Sequence, residues 1–246
     1  MLKRIFILIL ILASFYNNGE SKVLLIKTHG NTYHKKGIDY GEKLSTELRE
    51  NLSIIKSFYT SNRGIKYNDL VKKSNELYIL MPTKLQRFIV GEAQGASISL
   101  EDAKILNAME TFVALKGDSG TMCAFAYTGY NSSKSKKSFI GRNYDYAQPF
   151  DKISKNLVIT TIKETNKNPV AIIGLAGQVY CPTCINKSGI FIELNNGFPS
   201  GGTMPPQTDK TMGTLNSQLT AFSATILFSK ILNRAQPSKD FSRPVI

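Results

Sequence analysis

An α+β fold is predicted for this 246-residue chain by three observations. Apolar residues recur at helical spacing up to Gly117, short strand-like runs separated by polar turns follow from Cys123 onward, and a helical face returns near Leu215. Helices segregated from a run of strands, rather than alternating with them, describe an α+β protein with an antiparallel meander. The 18 glycines and 9 prolines, with 42% hydrophobic and 20% charged residues, exclude a disordered tail, a collagen and a polytopic membrane protein.

Residues 1–21 open with Lys3 and Arg4, continue through an apolar run over 5–13 and turn polar over 17–21, the layout of a secretory signal peptide. The run is shorter than the roughly 20 residues a bilayer span needs, so an exported protein with no stable membrane span after signal removal is expected. A membrane anchor formed by an uncleaved signal is the alternative. Within 30–59 the spacing of Tyr40, Leu44, Leu48, Leu52 and Ile55 predicts a helix, with Gly30, Tyr33, Gly37 and Gly41 leading into it. A lysine-rich helical stretch over 68–90 is interrupted at Pro82. Ser99, with Asp102 three residues on, caps the next helix, whose stripe is Leu100, Ala103, Leu106, Met109 and Val113. Gly117-Asp118-Ser119-Gly120 is a turn. Strands are placed near 123–128, 138–142, 157–163, 170–175 and 189–195, with hairpin loops over 131–137 and 164–168. Beyond a Gly/Pro/Thr-rich loop over 199–213, Leu215, Leu219, Phe222 and Ile226 form the last helical face.

The formal charge of +13 comes from 31 basic and 18 acidic residues. The lysines are scattered in pairs such as Lys35-Lys36 and Lys136-Lys137, and no basic helix or aromatic-basic motif occurs, so a nucleic-acid partner is not expected. The two histidines, His29 and His34, lie ahead of the first helix and far in sequence from every cysteine. They are read as solvent-facing or locally bonded, and neither a Cys-His pair nor a metal site is expected of them. Asn51, Asn131 and Asn186 each begin an Asn-x-Ser triplet, the acceptor pattern for glycosylation.

Chemistry concentrates around Cys123. A thiol nucleophile needs a base, and an α-amino group has an unperturbed pKa of about 7.7 to 8.0. Cutting the Met122-Cys123 bond would give Cys123 such a base on its own residue. Cys123 starts a strand just after a glycine-containing turn, and one hairpin later comes Gly141-Arg142-Asn143-Tyr144-Asp145. Asn186-Lys187-Ser188-Gly189-Ile190 and Glu193-Leu194-Asn195-Asn196-Gly197 follow.

This order resembles the N-terminal nucleophile hydrolases with a cysteine nucleophile. It looks most like the acyl-coenzyme A:6-aminopenicillanic-acid acyltransferase family of peptidases, with choloylglycine hydrolase, penicillin V acylase and acid ceramidase more distant. The likeness runs from about Gly30 to about Gly197, and Gly-Arg-Asn-x-Asp is its most specific piece. The stretch from Glu92-Ala93-Gln94-Gly95 to Asn107 is similar to part of the family's prosegment. The resemblance implies an αββα sandwich of two antiparallel sheets covered by helices, and a precursor that cleaves itself before Cys123. Residues 22–122 would be the prosegment or small chain and 123–246 the catalytic region. Cys123 would be nucleophile and, through its freed amine, base. Arg142 would lie beside the thiol and favour the thiolate, Asp145 would orient the amine, and Asn195 would donate to the developing oxyanion.

Met122 stands where the family usually has glycine, and relatives continue with further strands past the point matching Ile246, so a shortened catalytic region is expected. The function expected from the resemblance is an exported, self-processing cysteine amidase or acyltransferase acting on a small N-acyl amide through a thioester, with no metal or organic cofactor. One alternative is a truncated relative serving as a binding or envelope protein. Another is a thiol-disulfide protein built on Cys181-Pro182-Thr183-Cys184, although that motif normally opens a helix and here leads into a strand.

Overall fold

The computed structural model describes residues 23–116, 123–144 and 148–193. They form an α+β structure in which the helices precede most of the strands. Strand β1 (Leu24–Lys27) is followed by helices α1 (Tyr33–Lys43) and α2 (Ser45–Ser57), a π-helical turn over Phe58–Asn62, then α3 (Tyr67–Leu80), α4 (Thr83–Ala96) and α5 (Leu100–Ala108), which runs on as a 3₁₀ segment over Met109–Lys116. Strands β2 (Cys123–Thr128) and β3 (Phe139–Tyr144) follow, then the short helix α6 (Phe150–Ile153) and strands β4 (Leu157–Ile162), β5 (Val170–Leu175), β6 (Thr183–Asn186) and β7 (Phe191–Glu193). The predicted signal peptide, the loop over 199–213 and the helix near Leu215 lie outside the described residues.

The predicted stripe of Tyr40, Leu44, Leu48, Leu52 and Ile55 is buried throughout. It belongs to two helices rather than one, because the backbone leaves helical geometry at Leu44 (φ −116°, ψ 19°). The Leu44 N–H still donates to the Tyr40 carbonyl and its own carbonyl accepts from Leu48, so the same face stays buried across the break. Pro82 acts as expected. Met81 before it is extended (ψ 147°), which ends α3, and α4 starts one residue after the proline. Ser99 caps α5 by accepting from the Asp102 N–H at 3.1 Å. The Asp102 carboxylate instead accepts from Lys56 (3.1 Å) and Tyr67 (3.0 Å) on neighbouring elements, so only half of a capping box forms.

Helices α1 and α4 run parallel with almost no space between their backbones. A Cβ at Gly37 would collide with the Phe88 carbonyl oxygen and lie 2.9 Å from the Glu92 nitrogen; one at Gly91 would collide with the His34 carbonyl. Gly41 and Gly95 repeat the arrangement one turn on, against Glu92 and Ile38. Two small-x-x-x-small faces therefore meet, an approach that glycine alone permits.

The sheets differ from expectation in several respects. The larger has five strands in the order β1-β4-β5-β6-β7, of which β4 to β7 form an antiparallel meander; β6 falls outside the predicted strands, and the predicted strands near 123–128 and 138–142 pair apart from it. Its outer strand β1 joins β4 in parallel, so this sheet is mixed rather than purely antiparallel. Val158, Thr160 and Ile162 alternate inward along β4 and belong to the same core as the α1 and α2 stripe. The smaller sheet is the β2–β3 hairpin.

Glu164, in the β4–β5 turn, ties the sheet to α1 and α4. It accepts from Tyr33 (2.6 Å), Lys84 (2.5 Å) and Lys167 (2.7 Å). Its partial burial opposes charge, but the hydrogen bonds from Lys167, Lys84 and Tyr33 outweigh that and hold its pKa at about 2. A folded pKa below the ordinary 4.5 means that the stabilisation is complete above pH 4.5 and lost as pH falls towards 2. Glu164→Gln should lower stability by about 1 kcal/mol at pH 7, since both lysines are partly exposed. Thermal melts of the two proteins should converge as pH drops from 4.5 to 2; a constant gap would show that the charge contributes nothing.

Candidate active site

Cys123 is the first residue of β2, and the hairpin register places it opposite Tyr144, with Phe125 opposite Arg142. Side chains alternate along a strand, so positions 123, 125, 142 and 144 share one face of the hairpin, with 123 and 142 diagonal neighbours. The backbone thus brings together two of the predicted site residues. Met122, Asp145 and Asn195 lie outside the described residues.

Arg142 is fixed more firmly than the sequence implies. Its Nη1 donates to the Pro182 carbonyl at 2.8 Å and to the Thr183 hydroxyl, and its Nε lies 3.8 Å from Glu193 Oε2. The Arg142 and Glu193 side chains are only 8% and 10% exposed. Thr183 and Glu193 face each other across β6 and β7, so the guanidinium of β3 lands on one rung of the larger sheet. The guanidinium is thus ion-paired with a carboxylate of the other sheet. Glu193 was missed as a partner; its one signal was its place two residues before Asn195 on a short strand.

Cys181 and Cys184 are joined by a disulfide, with Cα atoms 5.6 Å apart, and both are buried. Thiol exchange with a protein partner needs an accessible sulfur, so the burial favours a structural crosslink. The chain has three cysteines, which leaves Cys123 as the one thiol. A thiol assay on denatured, unreduced protein should therefore find one thiol per chain, and three after reduction. Three before reduction would remove the crosslink.

The turn between β5 and β6 is held from the helical half of the chain. The Tyr40 hydroxyl accepts from the Gly177 N–H (3.0 Å), Asn51 donates to the Ala176 carbonyl (3.0 Å), and Asn107 Oδ1 accepts from the Val179 N–H (3.1 Å). Gln178 folds back to accept from the Leu175 N–H (2.7 Å), and its amide donates to Glu110 (2.5 Å) and Tyr180 (3.1 Å). These are buried polar groups with partners, which specify one position for the turn. Behind them Glu92 is fully buried and accepts from Asn107 at 2.9 Å. Burial pushes its carboxyl up to about 8, against the smaller opposing effect of Asn107.

The other residues singled out by the sequence fall outside this constellation. His29 Nδ1 is 3.0 Å from Lys43 Nζ and 3.4 Å from Asp39 Oδ2, an exposed local cluster. Asn51 and Asn186 are buried, which removes them as glycosylation acceptors in the folded protein, whereas Asn131 is exposed. Among the described residues no cluster of His, Cys, Asp and Glu suited to a metal occurs, and no helix is long and apolar enough to cross a membrane. The chain matches no protein-family model and no curated protein.

Proposed function

We propose that this chain is an exported, self-processing cysteine amidase or acyltransferase of the N-terminal nucleophile kind, and that its helices and two sheets are layers of an αββα sandwich. The observation that carries the reading is the β2–β3 register, which puts Cys123 at the head of a strand with Arg142 diagonal to it on the same face. The sequence that led to this pairing, Gly141-Arg142-Asn143-Tyr144-Asp145, occupies the partner strand and the residue after it.

In the proposed maturation the Cys123 thiolate attacks the Met122 carbonyl, and the acyl group moves from nitrogen to sulfur. Water then hydrolyses the thioester, leaving a Met122 carboxylate and a free Cys123 amine. In turnover that amine takes the thiol proton, sulfur attacks the substrate amide carbonyl, and the expelled amine takes the proton back. Water or an acceptor amine releases the acyl group from sulfur. Asp145 orients the Cys123 amine, and Asn195 donates to the oxyanion formed in each attack. Intact-mass measurement and N-terminal sequencing of the purified protein test the reading. Two chains are expected, the larger starting at Cys123; one uncut chain without amide hydrolysis would leave a binding protein in its place.

A further inference from the structure

We infer that the Cys181–Cys184 crosslink and Thr183, with Glu193 opposite, form a clamp that fixes Arg142 beside the start of β2. This inference rests on the proposed chemistry at Cys123, for which Thr183, Glu193 and the two cysteines then become positioning residues.

Three observations support the clamp. Arg142 Nη1 donates to the Pro182 carbonyl and the Thr183 hydroxyl, which belong to the two residues enclosed by the disulfide. A ring this short removes little entropy from the unfolded chain, so its contribution to overall stability is small and its effect is local. Within it the proline ring fixes one backbone torsion and the crosslink restricts the rest, which presents a carbonyl and a hydroxyl in a set geometry. Thr183 lies opposite Glu193 across β6 and β7, so carbonyl, hydroxyl and carboxylate converge on one guanidinium from neighbouring positions. Arginine is a long side chain with many rotamers, and a planar fork held by several acceptors has one orientation. That orientation is transmitted to Cys123 because the hairpin register makes 123 and 142 diagonal neighbours. Glu193 ends β7 two residues before Asn195, so the same grip ties the nucleophile's hairpin to the strand that leads to the proposed oxyanion donor.

The test uses Cys123 as its own reporter, because no other thiol is present in the wild type or in a Cys181→Ser/Cys184→Ser double variant. The rate of alkylation by iodoacetamide is followed against pH and read by mass spectrometry, separately on cut and uncut chains. Arg142→Met should move the midpoint upward by about one pH unit, the usual effect of losing a neighbouring cation. Thr183→Val and the double variant should move it in the same direction, by no more than Arg142→Met does. The clamp is overturned if these variants fold but leave the midpoint in place while Arg142→Met shifts it, and equally if Arg142→Met shifts nothing. Should the double variant fail to fold, Thr183→Val keeps the crosslink and decides the matter. Failure of the functional reading has a different signature, an uncut wild type without amide hydrolysis, whatever the order of the midpoints.

Discussion

Cys123→Ala protein is expected to be recovered as a single uncut chain with amide hydrolysis about four orders of magnitude or more below wild type. The substitution removes the nucleophile of both proposed reactions, and losing a covalent nucleophile leaves only the residual effects of binding and oxyanion stabilisation. Cys123→Ser should fall between the two, cleaving slowly because a hydroxyl is the weaker nucleophile. Denaturing electrophoresis and intact mass read the first effect, and hydrolysis of simple N-acyl amides reads the second. A Cys123→Ala protein that is still cut before residue 123 would assign the cleavage to an external protease and sink the self-processing proposal.

The largest loss of stability is expected at Gly37. Alanine in place of a helical glycine normally stabilises by about 0.5–1 kcal/mol. At Gly37 the new methyl group would meet the Phe88 carbonyl and the Glu92 nitrogen, both of them backbone atoms with no freedom to swing away. Helices α1 and α4 would have to separate, and Gly37→Ala should destabilise by about 2–4 kcal/mol, with Gly37→Val worse. The Gly37→Ala/Gly91→Ala double variant should cost less than the sum of the singles, because the first separation makes room for the second methyl. Urea unfolding measures each value. An unchanged or raised midpoint for Gly37→Ala would show that the two backbones do not meet.

The legible parts of the fold were those with a period. The stripe from Tyr40 to Ile55, the break at Pro82, the Ser99 cap and the edges of β2, β4 and β5 all follow from side-chain spacing or from residue-specific backbone limits. Strand β1 was missed because four residues of Leu-Leu-Ile-Lys behind an apolar leader carry no alternation of their own, and its pairing with β4 is settled across more than a hundred residues. Strand β6 was missed because Thr183-Cys184-Ile185-Asn186 is short and carries no apolar alternation, yet it pairs with both β5 and β7. At the candidate site, local order in the sequence suggested the hairpin, whereas the nearness of Cys123 to Arg142 was implied by the resemblance alone. The grip of Pro182, Thr183 and Glu193 on Arg142 was not legible, since it depends on how two sheets meet. The same holds for Tyr40, Asn51 and Asn107, whose polar atoms reach a turn 72 to 137 residues away.

Those three side chains, with the parallel pairing of β1 and β4, give the proposed cut a thermodynamic consequence. Before it, every contact between the helical half and the larger sheet is intramolecular, and folding is first order in protein. After it, the same contacts join two separate polypeptides whose shared surface is the hydrophobic core itself. Reassembly from the unfolded state becomes bimolecular, its yield set by concentration. Persistence of the mature form would then be governed by how slowly it comes apart, not by how readily it reforms. Severing one peptide bond would thus turn a reversible equilibrium into a kinetically trapped heterodimer.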